Sequence, residues 1–172
     1  MSTSEDDEPS MGPAVGVVLV GHGRSASELL AAAEGIVGTR ALADVRAVDA
    51  GRGETPRLGQ ELCDVIDEAD RGAGVLVLVD LWGASPCSCA QREVRSHRAV
   101  ILAGLNLAML LKLAALDRRA LDPEALGHAC ADSGRRAVAV HVPQGPTQEP
   151  DAASTPDHGQ TVGETHTEET RA

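Results

Sequence analysis
Short aliphatic runs separated by longer amphipathic segments constrain this chain more than any other feature. Val17-Val18-Leu19-Val20 and Val75-Leu76-Val77-Leu78-Val79 are brief, rich in β-branched residues and apolar at every position. Such runs read as strands buried on both faces, because a half-exposed strand would alternate with polar residues. Strands are expected near 15–20, 44–48, 74–80, 99–103 and 137–141, with helices near 25–37, 56–70, 86–95, 106–119 and 122–133. Successive βα units need crossover connections, which place helices on both sides of a mostly parallel sheet. The expected fold class is therefore α/β, a doubly wound three-layer α/β/α arrangement. In the commonest strand order, 2-1-3-4 with any later strand following, strands one and three are neighbours at the switch point.

With 172 residues the chain has material for one domain and not for two comfortable ones. That domain is expected over 14–142, between arms at 1–13 and 143–172 made of Pro, Gly, Ser, Thr and acids, a composition of disordered segments. The net charge of −11 belongs to those arms: Glu5 to Glu8 carry −4 and the residues after His141 carry −5, leaving −2 between them. A near-neutral body with acidic arms argues against nucleic acid, which calls for a basic face.

The longest apolar stretches fall short of the roughly 18 residues that span a bilayer, and the amino terminus is acidic, unlike a signal peptide. The expectation is a cytoplasmic protein without direct membrane insertion. Cys63, Cys87, Cys89 and Cys130 show no paired framework and are expected as reduced thiols. Cys87-Ser88-Cys89 lacks a matching pair at finger-like spacing, so no metal is expected.

Helix starts are marked by Ser25-Ala26-Ser27-Glu28, a capping-box pattern, and by Ser85-Pro86, a serine cap followed by proline at the first helical position. Asn106 precedes a run of leucines and is expected to cap a buried helix. His97, His128, His141, His158 and His166 read as solvated or locally bonded side chains.

Two polar residues end strands. His22, between Gly21 and Gly23, closes the first, and Asp80 closes the third. If strands one and three adjoin, these residues meet at the carboxyl edge of the sheet, where ligands and chemistry collect in this architecture. A carboxylate on one imidazole nitrogen fixes the tautomer and leaves the other nitrogen as an aimed nucleophile, base or ligand. The alternative, a loop acid beside a surface histidine, stands equally at this point. Gly83-Ala84-Ser85 leads into a helix whose free N–H groups and dipole suit a phosphate, although Ser85 as a plain cap needs no ligand.

These residues resemble a known family, the mannose-class enzyme IIA domains of the phosphoenolpyruvate-dependent sugar phosphotransferase system. The resemblance rests on four blocks: Val17 to Gly38, Gly51 to Pro56, Gly74 to Pro86 (GVLVLVDLWGASP) and Ala103 to Leu111 (AGLNLAMLL). It implies a cytoplasmic phosphotransferase in which His22 takes a phosphoryl group on Nε2 from the histidine-containing phosphocarrier protein. The group then passes to an enzyme IIB component and the membrane sugar permease complex. By the same resemblance Asp80 holds Nδ1 of His22, Gly83, Ala84 and Ser85 bind the phosphate, and no cofactor is required. It further implies a homodimer whose last strand, here Ala137 to Val140, can cross to the partner's sheet.

The chain departs from the family pattern at Ala84, where a second glycine is usual, at Cys87-Ser88 and at Ala108. An alanine at position 84 fits only where φ is negative. Two other readings remain open on sequence. One is a phosphorylation-dependent regulatory module, of which the dihydroxyacetone kinase phosphodonor is a related case. The other is a sirohydrochlorin-type metal chelatase, which would have a second histidine where Asp80 stands.

Overall fold
The computed structural model describes residues 12–51 and 56–143. The expected arms at 1–13 and 143–172 therefore lie almost wholly outside the described residues, as do residues 52–55 of the Gly51–Pro56 block. Four parallel strands, β1 (Gly16–Gly21), β2 (Arg46–Asp49), β3 (Val75–Val79) and β4 (Ala99–Ala103), form one sheet in the order β2-β1-β3-β4. Val18 lies opposite Arg46 on one side and Val77 on the other, and Val77 pairs in turn with Ile101. All five side chains of β3 are fully buried, as the unbroken apolar run requires of a strand covered on both faces.

Helices α1 (Ser25–Val37), α4 (Leu107–Ala114) and α5 (Pro123–Arg136) cover one face. Val15, Val17, Leu19, Leu76 and Leu78 pack there against Leu110, Leu113 and Leu126. Helices α2 (Pro56–Ala69) and α3 (Ser85–Glu93) cover the other, where Val18, Val20, Val75, Val77 and Val79 meet Leu62 and Ile66. The chain has no Phe or Tyr, so the two cores are built from aliphatic side chains together with Met109 and the buried cysteines Cys87, Cys89 and Cys130.

Away from the carboxyl edge of β1 and β3, three features differ from the sequence expectation. Residues 137–141 form no strand: α5 runs through Arg136, and Val138 is 81 % exposed. An alternating Ala/Val segment favours extended backbone, but without a neighbour to take its hydrogen bonds it gains nothing by becoming a strand. Helix α4 ends at Ala114, five residues short of the expected end, and a turn follows through Leu116. A short 3₁₀ helix, Thr39–Leu42, was not foreseen. The Asn106 cap is present, its side chain accepting the Met109 N–H at 3.2 Å.

The close approach of elements explains two glycines. A Cβ on Gly16 would stand 2.3 Å from the Ala69 carbonyl oxygen, and one on Gly74 would stand 2.3 Å from that of Arg98. Gly74 also has φ of +86°, so both space and backbone conformation demand glycine there. At this same end of the sheet, the Asp70 carboxylate accepts the N–H groups of Gly72 and Gly74, at 2.9 and 3.1 Å. It also meets Nδ1 of His97 at 2.9 Å, while Asp67 meets Nε2, so His97 is locally bonded rather than solvated. His128 is exposed and faces Glu124 one helical turn away.

Candidate active site
The strand order makes β1 and β3 neighbours, so their carboxyl ends bring His22 and Asp80 together across 58 positions of sequence. The Asp80 carboxylate binds His22 twice over. Its Oδ2 accepts the main-chain N–H of His22 at 2.7 Å, and Nδ1 of the ring lies 3.0 Å from Oδ2 and 3.2 Å from Oδ1. An ionised carboxylate only accepts, so Nδ1 carries the proton in this pair. Nε2 is then the nitrogen with the lone pair, and it has no protein partner among the described residues. The His22 side chain is 42 % exposed and that of Asp80 only 20 %, so the acid is tucked beneath a ring that faces solvent.

Burial pushes the Asp80 carboxyl up, but the His22 N–H, the His22 ring and the Ser25 hydroxyl together outweigh it. The net result lies below the usual carboxylate value, and Asp80 is ionised at neutral pH.

The turn after Asp80 also takes a definite shape. Gly83 has φ of +76°, the left-handed region that favours glycine. Ala84, by contrast, has φ of −76° and ψ of 167°, extended backbone open to any residue, so the alanine in place of a second glycine is unstrained. Helix α3 starts one residue earlier than expected: Ala84 is the N-cap and makes no side-chain cap bond, and Ser85 is the first helical residue. The Ser85 hydroxyl is therefore not a cap and has no protein partner among the described residues. Pro86 follows in the first turn, where it forfeits no helical hydrogen bond.

The capping box at α1 is likewise not formed. Arg24 is the N-cap and makes no side-chain cap bond. The Ser25 hydroxyl instead donates to Asp80 Oδ2 at 3.3 Å. The first turn of α1 is served from another strand: Asp49, at the end of β2, accepts the Ser27 N–H at 3.1 Å and the Ser27 hydroxyl at 2.5 Å. Glu28 pairs with Arg24 at 2.8 Å on the outer surface. Sequence reasoning missed Ser25 and Asp49 as parts of the site because local pattern assigned Ser25 to its own helix. The sole pointer to Asp49 was its place at a third strand end.

Further apolar surface adjoins the pair. Leu81 and Trp82 directly follow Asp80 and are 61 % and 64 % exposed. The four cysteines are free thiols, and Cys87, Cys89 and Cys130 are buried. Among the described residues no group of three or more His, Cys, Asp or Glu side chains is arranged to hold a metal ion, and no helix is long and apolar enough to cross a membrane.

Comparison with known proteins identifies the family. Residues 16–127 match the EIIA-man family, described as the PTS system fructose IIA component. A candidate phosphotransferase enzyme IIA component, YadI of Escherichia coli (strain K12), is 35 % identical over 103 residues, which cover 59 % of this chain and 69 % of YadI. The PTS system mannose-specific EIIAB component of the same organism is 36 % identical over 101 residues; that match covers 57 % of this chain but only 30 % of that longer protein. Among solved structures, the mannose/sorbose specific IIA subunit from Enterococcus faecalis superposes with a TM-score of 0.65 at 29 % identity, covering 77 % of this chain and 98 % of that one. The PTS IIA protein associated with the fucose utilization operon of Streptococcus pneumoniae gives a TM-score of 0.61 at 26 % identity, covering 73 % and 93 %. With the family profile spanning all four strands and the His22–Asp80 edge they build, the chain belongs to the mannose-class IIA components of the sugar phosphotransferase system.

Proposed function
We propose that this chain carries a phosphoryl group on Nε2 of His22, taking it from the histidine-containing phosphocarrier protein and handing it to an enzyme IIB component that serves a membrane sugar permease. The observation that carries this reading is the division of labour on one half-exposed ring: Nδ1 is held by Asp80 while Nε2 has no protein partner among the described residues. In the transfer, the Nε2 lone pair attacks the donor's phosphoryl phosphorus in line. The donor's P–N bond breaks, and its electron pair returns to the donor imidazole. The Nδ1 proton stays on its nitrogen, and Asp80 stabilises the positive charge that the ring acquires. Onward transfer is the same step in reverse, with His22 as the leaving group.

The turn at Gly83, Ala84 and Ser85 receives the phosphoryl oxygens. Ser85 brings a hydroxyl with no protein partner among the described residues, and the start of α3 adds the positive end of a helix dipole. Exposed Leu81 and Trp82 give an incoming protein an apolar rim to seat against. The exchange takes place in the cytoplasm and needs neither metal nor organic cofactor.

A homodimer is part of the same proposal. Val138, Val140 and Val142 are all exposed and alternate, which suits strand addition to a second copy. Light scattering of the whole chain and of a Val138→Asp, Val140→Asp variant tests this: a dimer that the substitutions dissociate supports it, and a monomeric wild type overturns it. A chelatase is not favoured, because an aspartate occupies the place of its second histidine and the comparisons return phosphotransferase components.

The decisive experiment is incubation with labelled phosphoenolpyruvate, enzyme I and the histidine phosphocarrier. Acid-labile label on the wild type and none on His22→Ala is the expected result. Label retained by His22→Ala overturns the assignment.

A further inference from the structure
We propose that Ser25 is a positioning residue for the His22–Asp80 pair, and that residue 21 is glycine in this chain to leave room for the Ser25 hydroxyl. The proposal rests on the phosphocarrier reading of His22 and adds a member to its machinery.

Three donors converge on one oxygen. Asp80 Oδ2 accepts the His22 main-chain N–H at 2.7 Å, faces His22 Nδ1 at 3.0 Å and accepts the Ser25 hydroxyl at 3.3 Å. The two His22 donors belong to one residue, its side chain and its own backbone, so they tie the carboxylate to the histidine alone. Ser25 ties the carboxylate to the first turn of α1, a helix packed on the sheet and on α4. The acid is thereby fixed to the scaffold and not only to the ring it orients.

Two details show that this bond is not incidental to helix capping. Ser25 is the first residue of α1, and the N–H of Ser27 in that turn is satisfied by Asp49 from β2, so the Ser25 side chain has no capping duty. Gly21 then explains itself. It is absent from the residues with positive φ, so its backbone conformation does not call for glycine. A Cβ built on it would stand 2.1 Å from the Ser25 Oγ and 3.3 Å from the Ser25 Cβ, with the Ala26 nitrogen at 3.1 Å. The hydroxyl occupies the space of the missing methyl, and residues 21 and 25 are sterically coupled through the bond to Asp80.

The test uses the whole chain as wild type, Ser25→Ala, Ser25→Thr, Gly21→Ala and the Gly21→Ala, Ser25→Ala double variant. Three quantities are read: the His22 tautomer by ¹⁵N NMR of the neutral ring, the single-turnover rate of phosphorylation by the phosphocarrier, and thermal stability by calorimetry. Loss of the hydroxyl is expected to raise the Nε2–H share of the ring and to slow transfer about three- to ten-fold, the size of an ordinary net hydrogen bond, because the 3.3 Å contact is long and acts through Asp80. Ser25→Thr is expected to restore both. Gly21→Ala is expected to reproduce the Ser25→Ala defect by displacing the hydroxyl, and the double variant to be no slower than Gly21→Ala alone. An unchanged tautomer with a rate within two-fold of wild type in Ser25→Ala overturns the proposal. So does a slowed rate that Ser25→Thr fails to rescue and that follows only a loss of thermal stability. If the wild type itself accepts no phosphoryl group, the phosphocarrier reading falls, while the tautomer still decides what Ser25 does to Asp80.

Discussion
Replacing Asp80 by asparagine removes one charge and keeps the size of the side chain, so it isolates what the carboxylate contributes to transfer. The acid lies 3.0 Å from Nδ1 of His22, and its negative charge is close to the ring that becomes positive as Nε2 bonds to phosphorus. Two unit charges about 4 Å apart attract by ~1 kcal/mol in water and by ~4 kcal/mol at the effective dielectric of a protein surface. The 42 % exposure of His22 moves the site toward the watery limit. A value of about 2 kcal/mol follows, or roughly 30-fold in rate. The asparagine amide also offers its N–H₂ where the carboxylate offered only acceptors, so it competes with the His22 N–H and the Ser25 hydroxyl for the same space. Asp80→Asn is therefore expected to accept label on His22 at about one-thirtieth the wild-type single-turnover rate, with Asp80→Ala slower still. The assay is rapid-quench transfer from the labelled phosphocarrier at saturating donor. An asparagine variant within three-fold of wild type would refute the argument that the charge on Asp80 stabilises the reacting ring.

Ser85→Ala is expected to weaken transfer by about 1–3 kcal/mol, since it removes a donor to the phosphoryl group and no cap; a neutral result in the same assay removes Ser85 from the site. Ala84→Gly is expected to leave the rate within about two-fold, because position 84 already has an unrestricted extended backbone; a large gain would contradict that. Gly74→Ala should cost about 3 kcal/mol from positive φ and overlap with the Arg98 carbonyl, and lower the melting temperature by about 10 °C by calorimetry. Acid stability follows Asp70: burial raises its carboxyl, but the His97 bond and the Gly72 and Gly74 N–H groups win, and its folded value lies below the unfolded one. Its contribution is therefore present above about pH 4 and is lost as pH falls through the folded value. Urea midpoints of wild type and Asp70→Asn should differ most at neutral pH and converge in acid; a constant difference would exclude the linkage.

The parts of this molecule that local pattern or the usual strand order encodes were legible, and the partners that other tertiary contacts bring in were not. Val75–Val79 declared a buried strand because nothing but burial on both faces suits five aliphatic residues in a row. His22 and Asp80 were found by asking which residues close neighbouring strands, and the usual strand order supplied the neighbourhood. Ser25 went wrong for the opposite reason. Its spacing to Glu28 matches a local motif, yet Asp80 and Asp49 arrive from distant segments and redistribute the hydrogen bonds at the start of α1. The same limit governs Ala137–Val140, whose alternation is a genuine extended preference with no strand in its own chain to satisfy it. At Ala84 sequence posed a sharp question, and φ answered it.

The exposed Trp82 gives the protein its own optical label. It is the only tryptophan in a chain without tyrosine, two residues from Asp80, so ultraviolet emission excited in this molecule reports a single point. The seating of another protein over the loop that follows Asp80 would change the polarity around that one indole. Stopped-flow emission can therefore time that docking on the unmodified chain, with no dye to perturb the rim.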